Sequence, residues 1–177
     1  MGKIKKYIPR IILLDTVLYT LIIAALYFIL PFFNLMFREW IYMVSALIII
    51  VGFVIGVIQL LLKIKKKIVK VILISIFIIL FLLSTPIIYF FGVFGYTPEH
   101  VVEREGKKFV AYVRGFKMTY VDYYDYKNIF VVGNQKRITE FYGKGGFDPI
   151  GNTNGYNYNV EKTTYYDENG EIIKTQP

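Results

Sequence analysis

The chain has 177 residues, of which 55% are hydrophobic and 18% aromatic, with no cysteine, one histidine and a formal net charge of +8. The missing cysteine excludes disulfides, prenylation, palmitoylation and lipoprotein attachment, and one histidine without cysteine leaves zinc short of ligands. A basic excess spread over a folded surface would suggest nucleic acid; here residues 1–94 hold ten basic and two acidic side chains, the whole +8, whereas residues 95–177 hold eleven of each, so nucleic acid is not the expected partner.

Three apolar runs fill the first half: Ile11–Leu30, Trp40–Leu62 and Val71–Phe91. Each approaches or exceeds the roughly 20 residues a helix needs to cross about 30 Å of hydrocarbon. Spans are expected at about 11–30, 40–62 and 69–92, within a transmembrane region 1–94. The first run is too long for a signal-peptide core, and no small-residue cleavage site precedes Pro31, so it is expected to be retained. Lysine and arginine in short connections stay cytoplasmic. Lys3, Lys5, Lys6 and Arg10 precede the first run, and Lys63, Lys65, Lys66, Lys67 and Lys70 separate the second from the third. Only Arg38, beside Glu39, lies between the first and second. The expected topology in a bacterial plasma membrane therefore has a cytoplasmic N-terminus and an extracytoplasmic domain from residue 95. Phe32, Phe33, Trp40, Tyr42, Tyr89 and Phe90 fall where an outer aromatic belt would lie, and Tyr7 at the inner one. Pro86 should kink the third span, with Ser84 and Thr85 available to the carbonyls it frees.

Gly52 and Gly56 make a GxxxG pair in the second span, with Gln59 on the same face. Small residues let helix backbones approach closely, and an amide can hydrogen-bond across helices. This seam can join two copies or dock on a partner's helix; the simpler reading packs it against the first span through Thr16, Thr20 and Ala24. Asp15 is the one acid expected within lipid, an intramembrane charge of the kind that marks proton paths. Its place just over a turn from the basic N-terminus is explained equally by snorkelling, or by pairing with Arg10 or a lysine of the 63–70 turn. Transport would need more polar midplane residues than Ser45, Gln59 and Ser75.

From Pro98 onward the chain turns to aromatic and β-branched residues. Lys108–Val113, Lys117–Val132, Arg137–Tyr142, Val160–Tyr166 and Glu171–Lys174 read as strands. Turns are expected at Glu105-Gly106, Arg114-Gly115, Gly133-Asn134 and Asp167–Gly170, and Gly143–Asn159 as a long loop. The fold class is thus an α+β membrane protein: a three-helix transmembrane bundle, then a small antiparallel β domain of five or six strands, a sandwich or a partly open barrel.

Eleven of the sixteen tyrosines lie in this domain, which makes it the place to look for a binding face. Alternation puts Tyr120, Asp122, Tyr124 and Tyr126 on one sheet face and Val121, Tyr123 and Asp125 on the other; Tyr156 and Tyr158 belong to the loop. Aromatics beside carboxylates suit sugars, peptides or proteins, and equally a small core with hydroxyls at its rim. Ile150-x-Asn152-x-Asn154-Gly155-x5-Glu161 follows an EF-hand loop except that Ile replaces the first aspartate; a glycine turn is the simpler reading. Gly143–Gly146 lacks the spacing and hydroxyl of a P-loop. No serine follows Ser84, and His100 is the one imidazole, so no nucleophile–base set is expected. Asp122 and Asp125 fall on opposite strand faces and make no glycosidase pair. No catalytic residue, cofactor or metal is expected.

Val102–Val113, the Tyr123-Tyr124-Asp125-Tyr126-x-Asn128-x-Phe130 stretch, and Tyr142-Gly143-x-Gly145-Gly146-x-Asp148-Pro149 together resemble a family of uncharacterised small bacterial membrane proteins with a Tyr-rich C-terminal β domain. The resemblance implies a Gram-positive-type host and carries no activity or binding residues. The functional expectation is a non-catalytic membrane protein whose outward β domain binds a membrane or envelope protein, as an accessory or immunity-type subunit, with homodimerisation left open. The alternative is a membrane-anchored module for cell-wall glycan or peptide.

Overall fold

The computed structural model describes residues 2–151 and 158–177, with the side chains of residues 2–11, 91 and 93 outside that description. The chain divides into a helical unit, residues 1–26 and 42–96, and a sheet unit, residues 27–41 and 97–177.

Three helices are long and apolar enough to cross a membrane: α1 (Gly2–Ile29), α2 (Glu39–Leu62) and α3 (Lys67–Gly95). Their side chains are mostly exposed on the protein's own surface, as expected of helices whose solvent is lipid. α1 and α2 meet where small residues permit it. Gly52 faces Thr16, and a Cβ added at Gly56 would lie 3.0 Å from Leu13 Cδ1. The Tyr19 hydroxyl and Ser45 Oγ are 3.0 Å apart across the same seam. Thr16 and Thr20 return their hydroxyls to carbonyls one turn back, at 2.8 Å each. α3 runs through Pro86 without interruption. Ser84 and Thr85 both donate to the Phe81 carbonyl, at 2.8 and 2.9 Å, one residue before the Leu82 carbonyl that Pro86 leaves without its helical donor.

The sheet unit is one antiparallel sheet of seven strands, not closed into a barrel. Strands β2 (Glu99–Arg104), β3 (Lys107–Gly115), β4 (Met118–Tyr126), β5 (Val131–Lys144), β6 (Lys162–Tyr166) and β7 (Ile172–Gln176) lie side by side in chain order. The seventh, β1 (Leu35–Phe37), comes from the connection between α1 and α2 and pairs with the start of β5, Leu35 opposite Gly133 and Phe37 opposite Val131. The expected antiparallel domain is thus present, with one strand more than expected.

Turn chemistry explains most of the register. Glu105 and Gly106 both take positive φ, 51° and 74°, as a two-residue hairpin between β2 and β3 requires. Asp167 Oδ1 accepts the Asn169 and Glu171 N–H groups, at 2.8 Å each, in the turn before β7. The turn expected at Gly133-Asn134 is instead mid-strand. The chain reverses at Lys127–Phe130, where Asn128 Oδ1 accepts the Phe130 and Val131 N–H groups at 2.7 and 3.0 Å. Gly133 lies opposite Leu35 of β1, and a Cβ there would lie 3.4 Å from Asp125 Cβ of β4, an ordinary contact.

Both faces of the sheet are covered. On one, Phe109, Ala111, Val113, Val121 and Tyr123 form a core with Val102, Ile138, Tyr142 and Ile150. On the other, Val110, Tyr112 and Val132 pack with Met36, Tyr124 and Tyr126.

Candidate functional site

Each face of the sheet buries one carboxylate, and the two are held differently. Glu140, 4% exposed, stands opposite Val121. It accepts hydrogen bonds from Tyr123 Oη at 2.6 Å, Tyr142 Oη at 2.8 Å and Arg104 Nη1 at 2.6 Å. The Arg104 guanidinium also lies 4.4 Å from the Tyr123 ring centre, a cation–π arrangement. Burial, then the hydrogen bond to Glu140, pushes the Tyr123 phenol far above its ordinary value and Tyr142 up to about 12; a phenol that donates to a carboxylate resists losing its proton.

Asp122, 1% exposed, sits on the other face. It accepts the Thr139 hydroxyl at 2.6 Å, pairs with Arg114, and has Lys136 Nζ at 4.0 Å. Burial, then this carboxylate, raises Tyr124 to about 12. Tyr124 stands edge-on to Tyr112, with ring centres 5.4 Å apart. Tyr126 is opposite Val132 and packs against the Val110–Tyr112–Val132 cluster. Tyr112 is raised by burial and by the nearby Glu99 carboxylate. Glu99 itself receives Arg38 Nη2 at 3.0 Å, tying the α1–α2 connection to the sheet.

Of the residues expected to form a binding face, Tyr120, Asp122, Tyr124 and Tyr126 do share one side. Asp122 is spent on Arg114, Lys136 and Thr139, and Tyr124 and Tyr126 are half-buried in the small core. Tyr120 alone of the four is exposed, its ring 4.9 Å from Phe141 and its hydroxyl directed at Met118. Tyr158 stacks on Phe147, with ring centres 4.0 Å apart. Tyr156 and the Asn152, Asn154 and Gly155 positions of the EF-hand-like pattern lie outside the described residues. Gly52 and Gly56 are turned to α1 of the same chain. Gln59 Oε1 is buried, with no hydrogen-bond partner among the described residues. Asp15 is exposed on α1; the Arg10 side chain, its suggested partner, lies outside the described residues.

Three features escaped the sequence reading. The Glu140 cluster had a signal: in Ile138-x-Glu140-x-Tyr142 an acid occupies the inward position of an alternating strand. His100 Nε2 lies 2.6 Å from Asp148 Oδ2, while Asp148 Oδ1 accepts the Ile150 and Gly151 N–H groups at 3.0 and 2.8 Å. Burial raises the Asp148 carboxyl, but these donors outweigh it and hold the group below its ordinary value. The pairing pins the segment after β5 over the Glu140 face, where Ile150 joins the core; nothing in the spacing of residues 100 and 148 announces it. The third feature is the β7 side of the sheet. β7 is fully exposed, with Ile172 and Ile173 each 64% exposed, and among the described residues no strand pairs with its far edge. β7 contributes Ile173 to an open groove of about 540 Å³ that extends across the sheet as far as β2, with Phe109, Ile138, Tyr165 and Tyr166 also lining it and Arg104, Asp125 and Arg137 among its charged residues. Arg137 is fixed by Asp125 at 2.7 Å and by the Asp167 carbonyl at 3.1 Å.

Among the described residues no group of three or more carboxylate or imidazole side chains could hold a metal ion. No family model matches the chain, no curated protein matches it, and no solved structure matches it. A functional reading therefore rests on this geometry.

Proposed function

We propose that this is a bacterial plasma-membrane protein whose sheet domain stands outside the cell and binds a protein partner, as an accessory or immunity-type subunit, by recognition rather than chemistry. The observation that carries the reading is the unpaired β7 edge beside an amphipathic groove. An exposed strand edge offers unpaired N–H and C=O groups to an extended segment, and an adjoining groove gives its side chains somewhere to go. A mixed-charge, aromatic-lined groove suits a peptide segment better than a bare flat sheet would.

Orientation is supported by charge and by pairing together. β1 lies between α1 and α2 and pairs with β5, which follows α3, so the first connection and the sheet domain share one side of any membrane the helices cross. That side carries Arg38 as the lone basic residue of its short connection, whereas the other carries nine lysines and arginines. The glycan-binding alternative keeps one support, exposed Tyr120 beside half-buried Phe141, and loses Asp122 as a sugar-binding carboxylate because its oxygens are engaged within the sheet.

A photo-crosslinking amino acid at Ile173, used in cells, should yield a discrete protein adduct, and one at half-buried Tyr124 should not. A C-terminal alkaline phosphatase fusion should be active. Adducts from Tyr120 to wall glycan with none from Ile173, or an inactive fusion, would overturn the respective halves of the proposal.

A further inference from the structure

The turn between α2 and α3 joins an apolar groove to a cationic mouth. A groove of about 380 Å³ lies between the two helices, lined by Val54, Ile58 and Leu61 on α2 and by Ile74, Phe77 and Phe81 on α3, with only aliphatic and phenylalanine side chains around it. On α2 the lining runs to Leu62, the last residue of the helix, so that side reaches the turn; on α3 it starts at Ile74, about 10 Å along the helix from Lys67.

In the turn that follows α2, Lys65, Lys66 and Lys67 are exposed, and no ion pair to any of the three occurs among the described residues. The start of α3 adds a second source of positive potential. Its N-cap, Lys66, makes no side-chain capping bond, and its first turn holds no acid. The first N–H groups of a helix have no intrahelical acceptor, and they favour an anion.

Topology alone accounts for the lysines but not for the groove. A second helix would cover the groove and leave the charge unanswered, while a soluble anion would answer the charge and leave the groove open to lipid. An amphiphile with an anionic head answers both. We propose that the α2–α3 turn binds one anionic phospholipid, its phosphate against Lys65–Lys67 and the α3 N-terminus and one acyl chain in the groove between α2 and α3. This site is independent of the partner-binding reading of the sheet.

The test uses the full chain, purified in mild detergent with equal amounts of phosphatidylglycerol and phosphatidylcholine, and native mass spectrometry of the lipid it retains. Phosphatidylglycerol should be retained in preference, and K65Q, K66Q and K67Q should each reduce that preference about fivefold. The triple arginine variant should keep it. Ile58→Trp, which fills the groove and leaves every lysine in place, should lose the retained lipid. Because the chain lacks cysteine, single-cysteine labelling can verify that each variant keeps its topology. Equal retention of both lipids, full preference in the triple glutamine variant, or full retention in Ile58→Trp would overturn the proposal. So would displacement of the lipid by soluble glycerol phosphate, which would mark a headgroup-only anion site, or by a second copy of the chain, which would mark a helix interface.

Discussion

The two faces of the sheet each take a carboxylate out of water, and the partners they use differ in kind. Glu140 accepts from the buried Tyr123 phenol, from the half-buried Tyr142 phenol, and from Arg104, whose guanidinium lies over the Tyr123 ring while its side chain is 38% exposed. Asp122 is held by Thr139 and by two cations whose side chains reach solvent. An acid that accepts from a buried phenol cannot be removed without orphaning that hydroxyl, whereas an acid held mainly by wet cations leaves charges that water can solvate. The first arrangement fixes a core; the second ties an edge of the core to the surface.

The largest effect should come from Glu140→Ala, which strands the Tyr123 hydroxyl in a site 1% exposed and should cost about 3 kcal/mol. Asp122→Ala should cost less, about 1–2 kcal/mol. Denaturant unfolding in micelles, followed by the single tryptophan, measures both. Trp40 donates to the Ile129 carbonyl at 2.9 Å and has Phe130 at 5.9 Å, so its emission reports on the sheet unit. Equal losses would break the comparison.

Tyr123→Phe should come next, at about 1.5–3 kcal/mol for a hydrogen bond to a charged group, with Tyr142→Phe below it because that ring is only half-buried. Alkaline titration sharpens the same contrast. The raised phenols of Tyr112, Tyr123, Tyr124 and Tyr142 contribute stability that is complete below the unfolded tyrosine value of about 10 and declines as pH rises through the folded ones. Each adds a slope of at most about 1.4 kcal/mol per pH unit. Replacing Tyr123 with Phe should flatten the curve, and an unchanged curve would contradict the assigned environment.

The smallest effect belongs to Asp148. Its carboxyl is held below the ordinary value, so its contribution is present above about pH 4 and lost as pH falls through the folded value. Asp148→Asn should lower stability at neutral pH by about 1 kcal/mol or less and remove this acid sensitivity. Hydrogen exchange at Ile150 and Gly151 would detect the loosened segment.

The sequence was most informative where one physical signal dominates. Hydropathy sufficed for three spans, and Glu105-Gly106 and Asp167–Gly170 announced their turns because positive φ and side-chain capping leave few residues to choose from. It was least informative where position depends on distant chain. Leu35-Met36-Phe37 is too short and too ordinary to declare itself a strand, and its partner Gly133 carries the same glycine signal as a turn. Alternation grouped Tyr120, Asp122, Tyr124 and Tyr126 on one face, yet period two cannot say whether a face is dry when both sides are covered. His100 and Asp148 meet only because the chain after β5 folds back over the sheet.

The pairing of β1 with β5 also sets an order of events in synthesis. Leu35–Phe37 is synthesised before α2 and α3, and its partner Val131–Gly133 is made only after both. Through that interval the strand waits with its backbone groups unpaired, and closing so long a loop costs entropy that grows only slowly with its length. The sheet therefore cannot be completed until all of α2 and α3 has been made, which gives the seventh strand the longest sequence separation from its neighbour of any in the sheet.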